Sequence, residues 1–156
     1  MEDIRQVDPF HFHAQMEALG ALVSRLREAV VLEDSSMVDR ALKLVGDLFP
    51  NLIEKSLHII DQRKVHHYRI VQGRSFFRVK GSTDEVYLVI GNNFCSCRYF
   101  QERVVSQQLD FMCKHVLAVI VAHASNSCAE TITLSSEDFS TALADALETC
   151  LYKETS

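Results

Sequence analysis

Two close pairs of ligand-type residues constrain this chain more than anything else in it: Cys95 and Cys97 flank one serine, and Cys113 and His115 flank one lysine. In extended chain, residues i and i+2 point to the same face, so both thiols of the first pair reach a single ion. On a continuing α-helix, residues two apart lie on nearly opposite sides, so Cys113 is expected just before a helix and His115 in its first turn. The free amides and positive dipole end of a helix favour thiolate there, which is the form that binds zinc. Three thiolates and an imidazole complete a tetrahedron and leave no position for water. The expected metal is therefore one Zn2+ ion with a structural role, held by Cys95, Cys97, Cys113 and His115.

The competing reading makes the three cysteines small buried hydrophobes and His115 a core histidine. Four suitable residues in this order argue against it. A disulfide framework is disfavoured by the odd count of five cysteines and their uneven spread. A dithiol redox site lacks its usual two-residue gap. Cys128 and Cys150 read as a loop thiol and a helix-stripe hydrophobe. His11, His13, His58, His66, His67 and His123 have no persuasive cysteine or carboxylate neighbour at ligand spacing and read as ordinary surface or core histidines.

Around the quartet the hydrophobic periods change along the chain. Met16, Leu19, Leu22, Val23, Leu26 and Val30 recur at helical spacing over 10–32. Asp34-Ser35-Ser36 is placed to cap a second helix carrying Val38, Ala41, Leu42, Val45, Leu48 and Phe49, which Pro50 ends. Asn51 is expected to cap a short third helix. Over 65–71, 74–80 and 86–90 the texture turns β-branched and aromatic, with short turns at Gly73 and Gly81, which implies an antiparallel meander. The third strand is expected to run on past Asn92-Asn93 to the first cysteine pair. The stretch 116–124 is apolar nearly all round and suits a buried helix. Ser135 with Asp138 opens a last helix bearing Leu143, Ala146, Leu147, Cys150 and Leu151 on one side. The fold class is therefore α+β: N-terminal helices, a three-stranded antiparallel meander, a zinc site at a strand-to-helix junction, and C-terminal helices. The chain divides into a helical region over 1–62, packed on or docking beside the finger, a zinc module over 63–125, and a closing helix and tail over 126–156.

At 156 residues and 47% apolar, the chain is long enough for one core. Its net charge of −5 excludes a surface that is all nucleic-acid clamp. Charge is segregated, however, because six basic residues and no acidic one fall between Gln62 and Thr83. On the second strand Arg74, Phe76, Arg78 and Lys80 share one face, a candidate contact for single-stranded nucleic acid. The same face also reads as a solvated surface paired with the chain's own acidic helices. The stripe Leu19, Leu22, Val23 and Leu26 is a candidate partner contact, weighed against burial in the chain's own core. The opening MEDIRQVDPFHF lacks the charge-then-apolar pattern of a signal peptide, and no run of about eighteen apolar residues suggests a membrane span. No Gly-rich phosphate loop is present, so no ATPase activity is expected of this chain.

Cys95-x-Cys97, a spacer and Cys113-x-His115, preceded by three short strands, resemble the SWIM-type zinc finger over about 65–124. Within that family, the small size, the helical N-terminal segment and the string Cys113-Lys114-His115-Val116-Leu117-Ala118-Val119 are similar to the small SWIM-domain subunit of the Shu complex. The resemblance implies a nuclear, non-enzymatic interaction subunit. Its implied partners are a RecA-like recombinase paralogue and, through the complex, a recombinase filament on single-stranded DNA in homologous recombination. Arg98 departs from the small residue or proline that many SWIM fingers carry after the second cysteine, without touching a ligand. The alternatives are a stand-alone nucleic-acid-binding finger and a thiol-dependent enzyme.

Overall fold

The computed structural model describes residues 7–153, and its first third is helical as the periodicity predicts. Helix α1 (Pro9–Val31) starts where the Asp8 carboxylate accepts the Phe10 amide at 3.0 Å and proline takes the first turn. Helix α2 (Ser35–Leu48) is capped by Asp34, which accepts from the Met37 amide at 3.0 Å. Helix α3 (Ile53–Asp61) departs from expectation, because no side chain caps it. Instead the Phe49 carbonyl accepts from both Leu52 and Ile53, so backbone rather than the Asn51 side chain satisfies the first amides there.

The expected meander forms from β1 (Val65–Arg69), β2 (Ser75–Lys80) and β3 (Val86–Ile90), but the sheet has two further strands, in the order β4-β3-β2-β1-β5. The third strand does not run on to the cysteines. Gly91, at φ 54°, lets the chain reverse through Asn92 and Asn93, and β4 (Phe94–Cys95) returns antiparallel with Cys95 opposite Val89. Strand β5 (Glu130–Thr133) adds parallel to β1 on the other edge, pairing His66 with Glu130 and Arg69 with Thr133. Its Glu-Thr-Ile-Thr sequence carries a single apolar residue, too weak a pattern to announce a strand.

Both faces of this sheet are covered. Val65, Phe77, Val79, Val89 and Cys95 pack with helix α4 (Lys114–Ala124) into one core that also takes in Leu19, Leu26, Val45 and Ile59 from the first three helices. Eight residues of α4 are buried, among them Val116, Leu117 and Ala118 with no exposed surface, which makes it the central rod of the fold. On the opposite face Phe76 and Leu88 pack against Phe139 and Ala146 of helix α5 (Ser136–Lys153). Ser135 caps α5, its hydroxyl accepting the Asp138 amide at 3.1 Å and donating to the Asp138 carboxylate at 2.8 Å. Leu143, Ala146 and Cys150 turn toward the sheet, whereas Leu147 and Leu151 turn outward, so the expected stripe is narrower than it reads.

Two groups of candidate contact residues are relocated by this packing. Leu19 and Leu26 lie in the chain's own core, at 2% and 0% exposure, and cannot meet a partner; Leu22 and Val23 are half-buried beside them. Phe76 is 1% exposed beneath Phe139, at 5.2 Å between ring centroids, and so is no stacking platform for a base. Among the described residues, no helix is long and apolar enough to cross a membrane.

Leu26→Ala is expected to cost about 2–5 kcal/mol, because it leaves a cavity in the main core. Leu44→Ala on the exposed face of α2 should cost less than about 0.5 kcal/mol. Urea unfolding of the two variants beside the parent checks the difference, and equal costs would contradict this core.

Candidate metal centre

Each ligand is placed by its own local device. Cys95 ends β4 on the sheet face that looks into the main core and is fully buried. The turn after it is held by Ser96, whose amide donates to the Leu88 carbonyl at 3.0 Å and whose hydroxyl accepts from the Leu88 amide at 2.9 Å. Those two hydrogen bonds to β3 turn Cys97 inward, and its sulfur accepts the Phe100 amide at 3.3 Å. Cys113 is the N-cap residue of α4, extended at φ −99° and ψ 171°, and His115 lies in the first turn, as the two-residue spacing requires.

The spacer between the pairs is organised rather than slack. A π-helical segment, Phe100–Ser106, carries the chain over the site with Phe100 buried beneath it. Asp110 then closes the return, accepting from the Tyr99 hydroxyl at 2.7 Å and from Arg103 Nε at 2.9 Å. Gln101 donates to the Cys95 carbonyl at 2.9 Å, tying the segment back to the first ligand. Ser56, buried on α3, donates its hydroxyl to the Lys114 carbonyl at 2.9 Å and fixes the start of α4 from behind. Asp110, Gln101 and Ser56 carry no sequence signal for this role, since each acts through a partner distant in the chain.

The four donor atoms lie within 4.8 Å of one another. Zinc–sulfur bonds of about 2.3 Å in a tetrahedron put neighbouring sulfurs about 3.8 Å apart, with nitrogen slightly closer. The Cys95 sulfur lies 3.8 Å from His115 Nδ1, so the cage is the size that one ion needs. Nδ1 is the nitrogen turned to the Cys95 sulfur, while the imidazole ring packs on Tyr87 at 4.3 Å between centroids.

The electrostatics point the same way. Hydrogen bonds from Cys113 and Cys95 hold the Cys97 thiol well below the usual range. Cys95 is pushed far up by its hydrogen bonds with Cys113 and Cys97 and by burial. For Cys113 the bond with Cys95 acts downward, but the bond with Cys97 and burial prevail and push it up to about 12. One thiolate is thus sheltered by two thiols that hold their protons, and a divalent cation would take the place of those protons. With all four donors used, no coordination position is open to water or substrate. Burial at 0–6% exposure closes the site further. It is the one cluster of potential metal ligands among the described residues.

The remaining candidates do not join this site. Arg74 lies exposed in the turn before β2, Lys80 is exposed at the end of that strand, and the Arg78 guanidinium sits 5.8 Å over the Tyr68 ring.

Mass spectrometry of the native protein is expected to find about one zinc per chain. Cys113→Ala and His115→Ala should each lose it together with helicity. Cys95, Cys97 and Cys113 should resist alkylation until a chelator is added. Full folding without metal, or thiols that react at once, would contradict the site.

Residues 77–124 match the family model described as SWIM zinc finger. The chain is 27% identical over 101 residues to the Homo sapiens protein named "Zinc finger SWIM domain-containing protein 7", covering 64% of this chain and 72% of that one. Against the Mus musculus protein of the same name it is 26% identical over 114 residues, covering 72% and 74%. The Danio rerio protein of that name is 32% identical over 75 residues, covering 47% and 54%. No solved structure matches the chain. All four ligands fall inside the matched segment and meet in one buried cage, so this part of the chain is similar to a SWIM zinc finger both in sequence and in the placement of its ligands.

Proposed function

We propose that this chain is a zinc-stabilised interaction subunit of a Shu-type complex, pairing with a RecA-like recombinase paralogue and promoting recombinase filament assembly on single-stranded DNA in the nucleus. The observation that carries the non-catalytic part of this reading is the closed cage: four buried protein donors spend the metal's whole coordination sphere on holding β4 to α4. The likeness to proteins named for the SWIM domain, over most of their length in two of the three, supports the same family of roles. The recombination role itself rests on the resemblance of the finger and its helical flanks to the small Shu-complex subunit. The zinc would act through folding: without it the start of α4 loses its anchor, and with it the core that positions every outer surface.

Co-expression with a recombinase paralogue should recover both chains together. Cys113→Ala should abolish recovery of the paralogue along with the zinc. Cells lacking the chain should form fewer recombinase foci after DNA damage. A chain that never co-purifies with such a paralogue, and whose loss leaves foci unchanged, would end this reading.

A further inference from the structure

Two surface features have no use inside the fold. Gly20 stands in the interior of α1, where glycine weakens a helix, yet a Cβ added there would meet nothing within 4 Å. No packing within the chain requires it. On α5, Ala144, Leu147, Glu148 and Leu151 recur at helical spacing on one exposed face, with Leu147 at 40% and Leu151 at 66% exposure. The sheet takes the other side of that helix.

Gly20 borders a groove of about 560 Å³ between α1 and α4. One stripe of α1, Met16, Gly20, Val23 and Arg27, follows it along one side, and Ile120 and His123 of α4 follow it along the other. Phe77 and Ile90 line it from the sheet. The groove is thus apolar along most of the stripe and cationic where the stripe ends at Arg27. His123 has its pKa held below the ordinary 6.5, first by burial and then by the Arg27 and Arg69 charges, so two guanidinium groups stand near one imidazole. The ion pairs among the described residues include neither arginine. An occupant that matches this groove carries apolar side chains and a negative charge beside them.

The exposed face of α5 has that character. From 136 to 151 the helix carries Glu137, Asp138, Asp145 and Glu148 and no basic residue. Leu147 and Leu151 lie one turn apart with Glu148 beside them, the spacing with which a helix fills a groove. Helix α5 packs on the sheet face opposite to the one that α1 and α4 cover, so it meets this groove only on another copy of the chain. We propose that the protein self-associates head to tail, the Leu147–Leu151 face of α5 in one copy seating in the α1–α4 groove of the next, with Glu148 toward Arg27. Gly20 then serves to let the incoming helix approach closely. Because the two surfaces differ, the contact is heterologous, and a pair of copies joined by one such contact keeps a free groove and a free helix. The proposal goes beyond the recombination reading and requires nothing of it.

The test is sedimentation velocity of the full zinc-loaded chain over a series of concentrations. The parent should associate as concentration rises. Arg27→Glu should weaken association by about tenfold or more, since it sets like charges against each other. Leu147→Glu should abolish it, by placing a charge in an apolar groove. Gly20→Leu should keep or raise the thermal midpoint while abolishing association, an opposition that a purely structural glycine would not show. Arg25→Glu, an equal charge change on α1 away from the groove, should leave association unchanged. All four variants should keep their zinc. Mixing Arg27→Glu with Leu147→Glu supplies one intact helix face and one intact groove, and should restore a one-to-one dimer that neither variant forms alone. Association that survives Arg27→Glu and Leu147→Glu, or a mixture that forms no dimer, overturns the proposal. A parent that stays monomeric overturns it too, and leaves the groove to an acidic helix of another protein.

Discussion

Three thiols and an imidazole crowded within 4.8 Å in the centre of a protein cannot all take their ionised or lone-pair forms unless a cation sits among them. Much of the architecture follows from that requirement. The sheet contributes Cys95 and the turn after it Cys97, the last helix of the core contributes Cys113 and His115, and the ion joins two layers otherwise held by apolar contact. Because α4 is buried along most of its length, fixing its first turn fixes the surface on which α1, α3 and the sheet all rest. The Ser56 and Gln101 hydrogen bonds pass the same constraint outward, one to α3 and one to the π-helical spacer.

A second buried imidazole shows the opposite solution. His67 stacks on Phe77 at 4.4 Å with 8° between the planes, and its Nε2 has no hydrogen-bond partner. Burial, with the nearby His123 and Arg69 charges adding to it, pushes its pKa down to about 4 from 6.5. The folded chain therefore keeps His67 neutral where an unfolded chain would protonate it. Stability from this site is full above pH 6.5 and is lost as the pH falls toward 4. Acid thus opposes the fold at the sheet as well as at the metal.

How much of this was readable in the sequence differs from element to element, for physical reasons. The ligand quartet was readable in full, because zinc needs particular donors and residue spacing decides which backbone forms can present them. Helices α1 and α2 were readable because a long stripe and an aspartate cap are local signals. Strand β4 was missed although Gly91-Asn92-Asn93 is a turn sequence, since the following Phe-Cys pair is too short to show a period. Alternation along β2 implies one wet face, and that misplaces Phe76, because both faces of this sheet are dry at its centre. The consecutive burial of Phe76 and Phe77 could be foreseen only by knowing that α5 returns to cover the second side.

The position of the central rod in the chain bears on how the protein is made. Synthesis runs from α1 onward, so three helices and three strands leave the ribosome before the first ligand, and α4 follows later still. Until then Leu26, Val45, Phe77 and Val79 have no rod to close upon and stay open to water and to other chains. His115 is the last ligand to emerge, and its arrival lets metal capture and core closure occur in one stretch of translation. Metal supply therefore bears on the making of this protein, since the ion and the core close together.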